Sequence, residues 1–75
     1  MHYEINGEWE MRMLGVDLCY IRMSKNISKK HAAIKCNLNL FTINKIEKGE
    51  YVSFEKLLTY CDMIGYKIIL ELKEK

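Results

Sequence analysis

Between Ser28 and Gly65 the chain is punctuated at short intervals by residues that start and stop helices. Ser28, Asn39 and Ser53 each stand just before a stretch with helical apolar spacing. Their side-chain oxygens can accept from the free amides of a first helical turn. Asn37, Gly49 and Gly65 each stand just after such a stretch, and these residue types tolerate the positive φ of a helix stop. Three short helices are therefore expected: Lys29 to Cys36, Leu40 to about Lys48, and a last one capped by Ser53 and stopped by Gly65. No proline interrupts any of them.

Upstream, Met11, Leu14, Leu18 and Ile21 fall at i, i+3, i+7 and i+10, one apolar stripe of a helix running from about Glu8 to about Lys25. Trp9, Met13, Val16 and Tyr20 make a second stripe on nearly the opposite side. A surface helix needs only one, so the second wants cover from the chain termini or from another subunit. In the second helix Ala32 and Ala33 face inward and allow close packing; in the fourth, Phe54, Leu57, Leu58, Cys61 and Ile64 form the expected apolar face. Asn6-Gly7 is a turn signal, but a hairpin there would set Ile5 against Glu8 and Tyr3 against Glu10. Residues 1–7 are read instead as an extended arm. From Tyr66 the period changes to two: Tyr66, Ile68, Leu70 and Leu72 alternate with Lys67, Ile69, Glu71 and Lys73. Residues 66–75 are thus expected to hold a half-buried strand. One strand cannot satisfy its own backbone, so it must pair with the arm near Tyr3 to Ile5 or with the same strand of a second chain.

Seventy-five residues make one small domain with a thin stability margin. No apolar run approaches the ~20 residues that cross a membrane, and the acidic N-terminus lacks a signal-peptide core. A cytoplasmic protein is expected. Its three cysteines, spaced 17 and 25 apart with no Cys-x-x-Cys, read as reduced and mostly buried thiols. No metal site or cofactor is expected. His31 and Cys36 lie five apart, about 140° around one helix, and cannot act together as base and nucleophile. With no paired carboxylates, nucleophile elbow or phosphate loop, the chain does not read as an enzyme.

Charge is unevenly placed. Residues 1–21 carry four acids and one base, residues 22–48 seven bases and one acid, and residues 49–75 five acids and four bases. The respective nets of −3, +6 and −1 sum to the overall +2. The positive block coincides with the second and third helices, as expected of a phosphate-binding surface; the alternative reading is an ordinary solvated lysine face.

The same segment carries a spaced set of residues: Leu14-Gly15, Leu18, Ile21-Arg22, Ile27-Ser28, Ala33, Leu38-Asn39, Ile43-Asn44-Lys45-Ile46-Glu47-Lys48-Gly49, Leu57-Leu58 and Ile64-Gly65. This set resembles the Cro and phage-repressor (XRE-type) helix-turn-helix family over about 50 of the 75 residues. Ile43 to Gly49 is its strongest part and looks like the family's Ile-Ser-Arg-Ile-Glu-x-Gly run. The match has no gap from Leu14 to Gly49 and is then about one residue short before Ser53. The resemblance implies a mainly α, lambda-repressor-like domain of four helices (residues 8–65) followed by the C-terminal strand.

It also implies a function: a homodimeric regulator, most readily a repressor, that reads the major groove of double-stranded DNA with its third helix. Carried over residue by residue, the DNA-facing positions are Lys29 and Lys30 on the second helix, and Leu40, Phe41, Thr42, Asn44 and Lys45 on the third. Lys29 stands where the family usually has Gln, and Lys45 where it often has Arg. Leu40 and Phe41 depart from the family's polar residues. They can pack on thymine methyl groups, face a protein, or lie partly buried against the second helix. Arg22 and Glu47 match a structural pair that bridges the first helix to the end of the third; a free Arg22 on a phosphate is the other reading. The rival function keeps the fold but binds a protein, such as a toxin, through apolar surface in the manner of an antitoxin.

Overall fold

The start and stop residues act where the sequence places them. In the computed structural model, which describes residues 7–68, four α-helices follow one another: α1 (Glu8–Ser24), α2 (Lys29–Cys36), α3 (Leu40–Lys48) and α4 (Phe54–Met63). Ser28 Oγ accepts from the His31 amide (3.1 Å), Asn39 Oδ1 from the Thr42 amide (2.7 Å) and Ser53 Oγ from the Lys56 amide (3.3 Å). Each cap satisfies a donor that the helix geometry leaves free.

All four helices stop by the same device. A residue with positive φ follows each helix: Asn26 (58°), Asn37 (54°), Gly49 (74°) and Gly65 (76°). The amide of the next residue then reaches back five positions, from Ile27 to Arg22, Leu38 to Ala33, Glu50 to Lys45 and Tyr66 to Cys61, at 2.8–3.3 Å. This covers carbonyls that would otherwise be orphaned. Asn26 was not among the stops read from the sequence; its position one residue beyond the expected end of α1 is the signal that marks it.

The core joins Leu14 and Leu18 of α1, Ala32, Ala33 and Cys36 of α2, Ile43 and Ile46 of α3, and Leu57, Tyr60, Cys61 and Ile64 of α4. Helix α3 packs on both α1 and α2, and α4 packs on α2. The α1–α3 contact is made at backbone distance. A Cβ on Gly15 would lie 2.6 Å from the Glu47 carbonyl oxygen, and one on Gly49 would lie 2.5 Å from that of Met11.

Two expectations for α4 need correction. Phe54 and Leu58 are exposed, and Tyr60, absent from the expected face, is fully buried. At 100° per residue Leu57, Tyr60, Cys61 and Ile64 share one stripe and Leu58 lies about 60° beyond its Cys61 edge, whereas Phe54 falls close to that edge and is exposed at the first position of α4. The second stripe of α1 is uncovered among the described residues: Trp9, Met13, Val16 and Tyr20 are all exposed. Tyr66 and Ile68 pack against the core without strand structure. The remainder of the expected strand, and residues 1–6 of the expected arm, lie outside the described residues.

Gly49→Ala combines a left-handed φ with a backbone clash. It is expected to destabilise the domain by about 2–4 kcal/mol, read from the shift in its denaturant midpoint. Asn37→Gly keeps the turn and is expected to change stability by less than ~1 kcal/mol.

Candidate nucleic-acid interface

Three helices converge on the side chain of Glu47. Arg22 of α1 donates to both of its oxygens, from Nε to Oε2 at 2.6 Å and from Nη2 to Oε1 at 3.2 Å. The Tyr60 hydroxyl of α4 donates to Oε2 at 2.5 Å. Arg22 Nη1 is in turn occupied by the Ile27 carbonyl, 2.5 Å away in the α1–α2 connection. Arg22, Glu47 and Tyr60 are all buried.

Burial by itself pushes the Glu47 carboxyl up, but hydrogen bonds from Arg22, Tyr60 and Cys19, with the Arg22 charge, hold it below its ordinary value. The bond to Glu47 raises Arg22 further, against burial. Burial, and then the same carboxylate, push the Tyr60 phenol up, so it stays a donor. Both ions therefore persist in the interior as a forked pair, and neither is free to meet a phosphate.

With its end tied in this way, α3 turns a defined face outward. Thr42, Ile43, Ile46 and Glu47 are buried, while Phe41 is 70% exposed and Leu40 47%. Asn44 and Lys45 are half-buried at the margin. Thr42 is thus withdrawn from the outward set in which the sequence reading placed it. At 7% exposure it lies one turn before Ile46, in the same inward stripe. Phe41 is not buried against α2, whereas Leu40 keeps about half of its surface exposed and lines a groove with residues of α2. The Lys45 ammonium sits 5.7 Å from the centre of the Phe41 ring, in cation–π range.

On α2, Lys29, Lys30, His31 and Lys35 are exposed. The turn between α2 and α3 leaves an open groove of about 540 Å³, whose lining includes Lys30, Ile34, Leu38 and Leu40. Ile34, 70% exposed, is not among the site residues read from the sequence. It falls off the stripe made by Ala32, Ala33 and Cys36, which is the available signal. Lys48 was also missed. It is exposed and stands seven residues after Phe41, on the same face of α3.

From Leu18 to Gly49 the only acid is Glu47. Its charge is cancelled inside the protein by Arg22, and the six lysines of the segment (Lys25, Lys29, Lys30, Lys35, Lys45 and Lys48) all retain access to solvent. The three cysteines are free. Burial raises all three thiols, to about 11 for Cys61, which is the opposite of an activated nucleophile. Among the described residues no cluster of three His, Cys, Asp or Glu could hold a metal, and no helix is long and apolar enough to cross a membrane. No protein-family model matches the chain, and no curated protein matches it.

Glu47→Ala leaves Arg22 buried without its partner and is expected to cost about 3–5 kcal/mol at neutral pH. Because the folded carboxyl is held low, its contribution is complete above the unfolded value and is lost as pH falls through the folded one. Acid unfolding should accordingly show a Glu47-dependent loss from about pH 4 downward. The Glu47→Ala variant is expected to have a flatter profile there, measured by circular dichroism.

Proposed function

We propose that the chain is a DNA-binding transcriptional regulator of the lambda-repressor-like helix-turn-helix class. In this reading α2 lies across the phosphate backbone and α3 enters the major groove of a palindromic operator. The observation that carries it is the uncompensated charge of residues 18–49: six solvent-reaching lysines, with the one acid buried against Arg22. Such a surface attracts a polyanion and releases its counterions on binding. Lys29, Lys30 and Lys35 are assigned to phosphates. Phe41, Asn44 and Lys45 are assigned to base edges, with Leu40 beside them. Thr42, being buried, has no contact role. The protein works without a cofactor and has no catalytic step.

A homodimer completes the reading, since a palindrome is matched by a two-fold pair. The exposed apolar stripe Trp9, Met13, Val16 and Tyr20 supports self-association, and the C-terminal residues from Tyr66 onward are the second candidate element. Sedimentation at micromolar concentration is expected to give two chains. The competing function, binding of a protein such as a toxin, is favoured by the groove at Ile34 and Leu40. Copurification of a small protein that is lost on Leu40→Ser, with DNA retention unchanged, would identify that function.

If a dimer neutralises about six phosphates, duplex affinity is expected to fall on the order of 10³-fold between about 50 and 200 mM salt. Lys45→Ala is expected to weaken the preferred site by ~1–3 kcal/mol and other sequences less. Fluorescence anisotropy on labelled duplexes measures both. Absence of retention on any duplex at about 50 mM salt would end the DNA-binding reading.

A further inference from the structure

Phe41 and Lys45 are one turn apart on α3, and the ammonium stands 5.7 Å from the ring centre, in cation–π range, while the ring remains 70% exposed. We infer that the two side chains act as one reading unit for two adjacent base pairs, Phe41 packing on a thymine C5-methyl and Lys45 donating to O6 and N7 of a neighbouring guanine. This rests on the DNA-binding reading above and specifies what that face selects.

The chemistry of each group narrows the choice. A phenyl ring offers no hydrogen bond, and thymine alone presents a methyl group in the major groove. A lysine ammonium has three donors and no acceptor, and guanine alone presents two adjacent acceptors there. Distance then links the two selections. Successive bases along a strand are about 3.4 Å apart. The 5.7 Å between the two groups is itself between one and two such steps, so side chains reaching into the groove in parallel meet neighbouring base pairs. The ring also restrains a long, flexible side chain. Lys45 held against Phe41 is aimed beside the methyl contact rather than along the whole groove. Glu47 does not draw the ammonium away, since Arg22 holds it in the interior.

The test uses the full chain and a randomised duplex library selected at low salt. The enriched duplex is then resynthesised with deoxyuridine for thymidine, or 7-deazaguanine for guanine, one position at a time. The inference expects a thymine and a guanine on adjacent base pairs to be sensitive. Loss of the methyl should weaken binding about fourfold, and loss of N7 on the order of tenfold. Phe41→Ala, at an exposed position whose fold is checked by circular dichroism, should abolish the deoxyuridine penalty and reduce the 7-deazaguanine penalty. Lys45→Ala should abolish the 7-deazaguanine penalty and keep the other. An enriched duplex indifferent to both replacements would overturn the inference while leaving DNA binding intact. So would sensitive positions three or more base pairs apart. If no duplex is enriched or retained, the DNA-binding reading falls and takes this inference with it.

Discussion

A carboxylate taken out of water must be met by donors and by charge, and Glu47 is met from two other helices at once. The Arg22 guanidinium forks onto it from α1 and the Tyr60 hydroxyl reaches it from α4. Because the ion is near the end of α3, these bonds fix where that helix finishes relative to the rest of the domain. Such a pair adds little net stability over an apolar replacement, but losing one partner strands the other in the interior. Its larger effect is geometric. The remaining faces of α3 are defined by the fact that the Glu47 face points inward.

The same interaction sets the surface field. In a segment rich in lysine the single acid is removed from the surface, and the single arginine is removed with it. What solvent sees is a set of lysines whose flexible stems carry charge without fixed geometry. Sharper positioning arises where a lysine meets an aromatic ring, as Lys45 meets Phe41. Backbone contact between α1 and the C-terminus of α3 supports this arrangement, since Gly15 and Gly49 have no room for a side chain. The α1–α3 approach is consequently much closer than side-chain packing alone would allow.

Helix limits were legible because they depend on neighbours in sequence. A Ser or Asn oxygen reaches an amide three residues on, and an Asn or Gly accepts the positive φ that turns the chain. The misreadings share a different cause. Thr42 was placed with Phe41 because both are near the start of α3, yet one residue of helix rotates a side chain by about 100°. Tyr60 was passed over and Phe54 taken for core because apolar character was weighed without knowing where the α4 face would meet α2. A tyrosine earns full burial only when an acceptor waits for its hydroxyl, and that acceptor is 13 residues away in the chain.

By itself, then, the sequence determined the four helices, the caps Ser28, Asn39 and Ser53, the stops Asn37, Gly49 and Gly65, the inward stripe of α1 and the lysine-rich block. These follow from interactions within a few residues, from periodicity and from counting charge. Only the tertiary structure decided that the Arg22–Glu47 pair is buried and completed by Tyr60, that Thr42 is withdrawn, and that Ile34 and Lys48 join Phe41 and Lys45 as accessible side chains. Exposure is a property of what lies on the other side of a residue, and for a helix packed between two others that is set by chain segments far away in sequence.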